Sequence, residues 1–319
     1  MPEVVVLGGY GRLGTACVRE LLETTKCGVV IAGPSVQRAE WAALSFGERT
    51  RGAYANATDP RTIGSIVADA AAILACSTAP PLAALELALE ARVPFVALSS
   101  LEPAPGSLRS IAERAWAAQV PIVLHAGAVP GLPGVCAEFL VRRFDHIRRL
   151  RVASTGPCAS RISAWATARG VSNLLRRSLE LRFPQRIEFP RGVDRRWVSR
   201  ARTPELAGFA ESNCVDELDY LESARSLLAL GTESPAAAAD ASDFAVVAEA
   251  FVGEERSPAA RIGLRARDLV TAAGVAGVTL VRAILAGSVP NGLLAPHEAL
   301  NPGLYLHALA KRGIAFTQS

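Results

Sequence analysis

Lysine is nearly absent from this chain. Of its 34 lysine and arginine residues, only Lys26 and Lys311 are lysines. A Schiff-base mechanism would have to rest on one of these two, and both stand in surface-like contexts. The Tyr-x-x-x-Lys pair, the proton relay of short-chain dehydrogenases, does not occur. Neither does His-Glu-x-x-His or Gly-x-Ser-x-Gly, so metalloprotease and serine-hydrolase readings have no support. The six cysteines are scattered and form no Cys-x-x-Cys. That spacing points to a reduced cytoplasmic protein with no disulfide frame and no metal site. Aromatic residues make up only 6% of the chain, and they are not interleaved with the arginines. A nucleic-acid partner is therefore not expected. The net charge of +4 has two readings, a coding bias toward arginine or an anionic ligand. Long apolar runs are missing as well. Val4–Leu7, Ile73–Cys76 and Ile122–Leu124 are far too short to cross a membrane, and the helical stretch 272–286 holds an arginine and several glycines. No basic segment precedes an apolar one at the start, so a secretory leader is not expected.

With 319 residues, half of them hydrophobic, the chain can bury a large core and form about two domains. It opens on Glu3 to Gly14, Glu-Val-Val-Val-Leu-Gly-Gly-Tyr-Gly-Arg-Leu-Gly. Val4–Leu7 suits a parallel strand buried on both faces. Gly9-x-Gly11-x-x-Gly14 follows, and then a helical pattern with Leu13, Cys17 and Leu21 on one face. Strand, glycine turn and helix in that order make a dinucleotide phosphate site. Gly9 permits the turn, Gly11 lets a pyrophosphate approach, and Gly14 lets the helix pack close. Free amides and the helix dipole then attract the anion, with Tyr10, Arg12 and Leu13 beside it. The alternative is a glycine turn needed only for packing.

The second strand, Gly28–Ala32, ends in Ala32-Gly33-Pro34-Ser35-Val36-Gln37-Arg38. No carboxylate stands there to hold a ribose 2′-hydroxyl. Gly33, Ser35 and Arg38 suit a 2′-phosphate instead, so NADP is favoured and NAD remains open. Alternatively, Arg38 only begins a helix and faces water. Further on, strand Ile73–Cys76 runs into Ser77-Thr78-Ala79-Pro80, a loop suited to cover the nicotinamide end. Helix Leu82–Ala91, strand Phe95–Leu98, helix Leu108–Ala118 and strand Ile122–Leu124 continue the alternation. This predicts an α/β doubly wound parallel sheet. The glycine-proline segment 125–134 is read as the crossing into a second domain.

That second half is predicted as α+β with a mostly antiparallel sheet. Its elements are strand His146–Ser154, helix Ser163–Leu181, a hairpin of Arg186–Phe189 and Arg195–Val198, strands Asp243–Val252 and Ala260–Arg267, and a glycine-dotted helix Thr271–Leu285 that packs on a neighbour or a partner chain. Ser234-Pro235 marks a loop. The expected division is 1–128 plus 287–319 for the nucleotide domain and 129–286 for the substrate domain. The tail is expected to return to the first domain.

His125 ends a core strand at the ligand edge of the sheet and titrates in the neutral range, which makes it a candidate proton donor. The plain alternative is a structural hydrogen-bonding residue. Ser99, Ser100 and Glu102 follow the preceding strand at the same edge and could orient substrate. Arg169, Asn173 and Tyr220 are candidates from the second domain.

Taken in order, these motifs make the chain resemble the saccharopine dehydrogenase-like reductase family over nearly its whole length. The resemblance rests on Val-Leu-Gly-Gly-Tyr-Gly-Arg-Leu-Gly at 6–14, Ala-Gly at 32–33, Cys-Ser-Thr-Ala-Pro at 76–80 and Val-Ala-Leu-Ser at 96–99. It rests also on Gly-Ala-Val-Pro-Gly-Leu at 127–132 and the closing Lys-Arg-Gly-Ile-Ala-Phe. It implies a Rossmann domain binding NAD(P), an inserted α+β domain that carries the substrate site and pairs subunits into a homodimer, and a small-molecule substrate. Members reduce imines or oxidise amines, and related members reduce enoyl groups. The family often has Val-Asp-Leu-Ser where this chain has Val96-Ala97-Leu98-Ser99. The Ala97 side chain carries no charge and can make no hydrogen bond. A specialised biosynthetic imine reductase, an enoyl or keto reductase, and a non-catalytic NADP-binding protein all remain open.

Overall fold

A computed structural model describes residues 1–56, 59–76, 82–99, 107–156, 185–223, 243–254 and 257–319. Ser77, Thr78, Ala79, Pro80, Ser100, Glu102, Arg169 and Asn173 lie outside the described residues, as do the expected helix Ser163–Leu181 and the Ser234-Pro235 loop. The chain divides into two compact units, Met1–Gly127 with Ala273–Leu300, and Ala128–Ala272 with Asn301–Ser319.

In the first unit strands and helices alternate. They are β1 (Glu3–Leu7), α1 (Arg12–Thr24), β2 (Gly28–Gly33), α2 (Val36–Phe46), β3 (Thr50–Tyr54), α3 (Pro60–Val67), β4 (Ala70–Ala75), α4 (Leu82–Ala91), β5 (Phe95–Ala97), α5 (Ser107–Ala118) and β6 (Pro121–Val123). A late strand, β13 (Gly292–Leu294), joins from the far end of the chain. The seven strands lie in the order β13-β6-β5-β4-β1-β2-β3, and every pairing is parallel. This is the expected doubly wound sheet. Its apolar runs are buried on both faces because helices cover both. Val5, Val30, Ile73, Phe95 and Ile122 from successive strands pack with Ile63, Leu85 and Ile111 from the helices. Helix starts are set locally. Ser35 caps α2, Asp59 caps α3, and Pro60 takes the first turn of α3. The order reverses at β1, which lies between β4 and β2. Ligands of open α/β sheets bind outside the carboxyl ends of the strands at such a point.

The second unit holds α6 (Leu132–Val141), β7 (Ile147–Ser154), β8 (Gln185–Glu188), β9 (Arg195–Arg200), the short α7 (Phe209–Ser212), β10 (Val215–Ser223), β11 (Phe244–Phe251), β12 (Ala260–Ala266) and β14 (Ala315–Gln318). Its sheet runs β14-β12-β11-β7-β10-β9-β8. Only β7 with β10 is parallel, so the sheet is mixed. One face gathers Ala153, Val198, Leu221, Ala245 and Val247 into a core closed by Ile187, Phe189 and Val193. The chain then continues through α8 (Leu269–Leu285), α9 (Pro296–Ala299) and α10 (Pro302–Ala310).

Two expectations about the far end of the chain are corrected. The tail does not return to the first unit. Residues 315–318 pair antiparallel with β12, which satisfies the backbone groups of that edge, and α10 packs on α6. Helix α8, expected in the second domain, belongs from Ala273 onward to the first. Its glycines account for this. A Cβ on Gly277 would stand 2.2 Å from Leu98 Cδ2, and one on Gly274 would touch Ala16 at 3.5 Å. Among the described residues no helix is long and apolar enough to cross a membrane.

Candidate functional site

The glycine turn is tied down from below. The amides of Gly8 and Gly9 donate to the Ala32 carbonyl at 2.8 and 3.2 Å, and the Gly11 amide donates to the Gly8 carbonyl at 2.9 Å. Gly11 is the N-cap of α1 and brings no side chain to the cap. Arg12 and Leu13 open the helix, whose first turn contains no acidic residue. The amides of Leu13 and Gly14 therefore face outward with no carbonyl inside the helix to meet them. The close approach expected at Gly14 is extreme. A Cβ there would lie 2.2 Å from Gly8 O and 2.6 Å from Gly9 Cα. Helix and turn are in backbone contact, and only a hydrogen fits between them.

At the end of β2 the structure brings Tyr10, Gly33, Ser35 and Arg38 together. The Tyr10 ring lies against Gly33, where a Cβ would stand 2.4 Å from Cε1. Its hydroxyl accepts the Ser35 amide at 3.1 Å. The Ser35 hydroxyl in turn accepts the Arg38 amide at 3.3 Å. The Arg38 guanidinium sits 4.6 Å from the Tyr10 ring centre, a cation–π stack. Among the described residues no carboxylate pairs with it. Tyr10, Gln37, Arg38, Trp41 and Ala42 line a shallow hollow. Trp41 is 72% exposed, an unusual placement for an indole on a solvent face. Sequence reasoning missed Gln37 and Trp41, because helical periodicity marks a face and not its neighbour across a turn.

At the end of β4, the Cys76 amide donates to Leu7 O at 2.9 Å. Its Sγ lies 3.6 Å from that of Cys17 on α1. Ser99, just past β5, is buried, and its hydroxyl meets no partner among the described residues. His125, just past β6, has φ of 59°, a left-handed conformation uncommon outside glycine. The hydrogen bonds on either side hold it there: Leu124 N–H to Leu294 O at 3.0 Å and Ala126 N–H to Ala97 O at 2.8 Å. Its Nδ1 is buried without a partner among the described residues. Burial, helped by the nearby His297, pushes its pKa down to about 4. The expected neutral-range titration of His125 is thereby corrected, since at pH 7 the ring is uncharged. His297 on α9, also buried, went unnoticed in the sequence because its neighbours give no motif.

In the second unit Tyr220 lies on β10, buried, its hydroxyl hydrogen-bonded to Ser154 Oγ at 2.9 Å. Glu222, two residues on, shares a cross-strand row with Ser154 and Ser199, all fully buried. Glu205 is the more unusual group. Its Oε1 accepts the Gly131 amide at 2.8 Å, at the start of α6, and its Oε2 accepts the Thr203 hydroxyl. Burial pushes its pKa up to about 7, against the pull of both hydrogen bonds. The sequence around it, Thr203-Pro204-Glu205, reads only as a helix start.

No family model and no curated protein matches the chain. Solved structures do. Apo saccharopine dehydrogenase (L-Glu forming) from Saccharomyces cerevisiae superposes with a TM-score of 0.72 at 12% identity, over 100% of this chain and 99% of that one. The WlbA (WbpB) dehydrogenase of Thermus thermophilus, in complex with NAD and UDP-GlcNAcA, gives 0.49 at 11% identity over 98% and 95% of the two chains. Dipicolinate-bound dihydrodipicolinate reductase from Paenisporosarcina sp. TG-14 gives 0.47 at 12% over 93% and 98%. The fold is saccharopine dehydrogenase-like.

Proposed function

We propose that this protein is an NAD(P)-dependent oxidoreductase, with NADP preferred, that reduces an imine of a small amino-acid-like substrate. The observation that carries this reading is the first turn of α1. Its amides face outward over a glycine turn with no side-chain cap and no acid. An anionic diphosphate is the natural partner of such an end. The saccharopine dehydrogenase-like fold is consistent with it.

The residues present fit the group. Gly9, Gly11 and Gly14 leave no side chain in the way of a pyrophosphate. Arg38, braced by Tyr10 and lacking a carboxylate partner among the described residues, suits a 2′-phosphate, and the Ser35 hydroxyl can donate to the same group. An acid at this place would repel it. When bound, the reduced nicotinamide supplies a hydride. Ser99 and His125 lie beyond β5 and β6, at the carboxyl edge of the sheet where such ligands bind. Each carries a buried polar atom without a described partner, so each can hold one polar group of a ligand by a hydrogen bond. His125, being neutral, orients and does not protonate. The proton that makes an imine electrophilic comes with the substrate or from solvent.

Titration with NADPH and NADH tests this reading, followed by loss of reduced-nicotinamide absorbance with amine and carbonyl pairs. Arg38→Ala should weaken NADPH by about ten- to a hundredfold, the worth of one hydrogen bond to a charged group, and leave NADH nearly unchanged. Binding without turnover on any pair would leave a nucleotide-binding protein and remove the enzyme. Heat or thermal protection from neither nucleotide would remove the reading altogether.

A further inference from the structure

We infer that Cys17 and Cys76 form an oxidation-sensitive pair whose closure into a disulfide weakens dinucleotide binding. The consequence for binding rests on the dinucleotide reading above, whereas the pair itself does not. Cys17 lies on α1, one turn beyond Gly14, and is fully buried. Cys76 lies at the end of β4, next to β1 in the sheet. Their sulfurs stand 3.6 Å apart, with one thiol donating to the other. A disulfide needs about 2.05 Å, so the two must approach by roughly 1.5 Å.

The surroundings decide what that approach does. Helix α1 already touches the glycine turn through Gly14, where not even a methyl group fits. On its other side Gly274 of α8 faces Ala16 and the Cys17 amide, where a Cβ on Gly274 would stand 3.5 to 3.6 Å from them, at ordinary van der Waals range. Cys76 is tied to β1 by its amide, which donates to Leu7 O. Part of the approach can come from side-chain rotation. The rest must move α1 or the end of β4. The turn Gly8–Gly11 runs from the end of β1, which the Cys76 amide holds at Leu7 O, to the start of α1, so either movement pulls on it. Amides that have to meet a diphosphate within hydrogen-bond range are then displaced.

Hydrogen peroxide, as the oxidant, balances the step. One sulfur, as thiolate, attacks the peroxide O–O bond, takes a hydroxyl to become a sulfenic acid, and releases hydroxide, which is protonated to water. The second thiolate attacks that sulfur, the S–O bond breaks, and a second water leaves. The two sulfurs lose two electrons and two protons, and peroxide is reduced to two waters. The hydrogen bond to Cys17, and burial after it, push the Cys76 thiol well up, so the thiolate is scarce and closure slow at neutral pH. Closure should accordingly quicken as the pH is raised.

The test uses the full chain, reduced and then treated with peroxide, with peptide mapping by mass spectrometry and NADPH titration of both forms. The expected result is a Cys17–Cys76 linked peptide short of two hydrogens. NADPH affinity should fall at least about tenfold, and dithiothreitol should restore it. Cys17→Ser, or Cys17→Ala if the serine proves too polar for so buried a place, should bind NADPH normally and ignore peroxide. Oxidation confined to the exposed Cys214 or to Cys158, or a linked protein that binds as well as the reduced one, overturns the inference. If the reduced protein binds no NADPH, the dinucleotide reading fails, while the peptide map still decides the cysteine pair.

Discussion

Replacing Gly14 by alanine should cost about 3 kcal/mol of folding stability or more, at or beyond the upper end for overpacked sites. The new methyl group would stand 2.2 Å from Gly8 O, 2.6 Å from Gly9 Cα and 2.7 Å from Gly9 C. All three atoms are backbone, so no side chain can swing away. Either α1 lifts from the turn or the turn changes shape. In both cases outward amides leave their places, and one lost hydrogen bond to a charged group is worth about ten- to a hundredfold in affinity. Gly14→Ala should therefore lose dinucleotide binding together with stability. Gly64→Ala supplies the control. Gly64 lies inside α3, and a Cβ there meets nothing within 4 Å. That change should stabilise by roughly 0.5 to 1 kcal/mol and leave binding alone. Thermal unfolding and NADPH titration of the two variants check both statements. Equal behaviour of the two would mean that the contact at Gly14 is not what the geometry makes it.

The second large effect concerns Glu205 and pH. Its carboxyl is pushed up from 4.5 to about 7, chiefly by burial. A raised carboxyl means that the folded protein holds the proton more tightly than the unfolded chain does. Its contribution to stability is then fully present below the unfolded value near 4.5. It declines as pH rises through about 7, and is flat above that. The difference between the two plateaus is roughly 3 kcal/mol, from the size of the shift. Glu205→Gln removes the ionisation. The amide oxygen can still accept the Gly131 amide, and the amide nitrogen can donate to Thr203 Oγ1. Relative to the natural protein, the variant should be about equally stable in mild acid and more stable by roughly 3 kcal/mol in mild alkali. Glu205→Ala should be worse than Glu205→Gln at every pH, because it orphans the buried Gly131 amide at a cost of about 1–3 kcal/mol. Urea unfolding across the pH range separates the cases. A difference between Gln and Glu that does not change with pH would remove the claim.

Legibility in the sequence followed the distance over which each feature is specified. Strands β1, β2, β4, β5 and β6 announce themselves as short apolar runs, because a parallel strand covered on both faces needs nothing else. Strand β3, Thr-Arg-Gly-Ala-Tyr, was missed because it is an edge strand with only Ala53 buried. Strand β10 was missed because Asp216, Glu217, Asp219 and Glu222 interrupt its pattern. Asp219 is tolerated there only because Arg149 and Arg200 reach it from the neighbouring strands β7 and β9. No reading of nine consecutive residues contains that information. Helix α6 begins at Leu132, inside the glycine-proline segment 125–134 read as a crossing, because Gly131 and Glu205 set its first turn.

The sequence by itself determined a parallel α/β sheet opening on a strand, a glycine turn and a helix, and an uncarboxylated end to the second strand. Each of these is written in a few adjacent residues, and backbone sterics and hydrophobic period act over that range. The tertiary structure alone decided that Tyr10 lies on Gly33 and braces Arg38, and that His125 sits beside His297 and stays neutral. It also decided that Glu205 holds Gly131 from 74 residues away, and that the tail closes the second sheet instead of the first. These are matters of which buried surface removes a group from water and which distant partner then meets it. Burial and partnership exist only once the chain has folded.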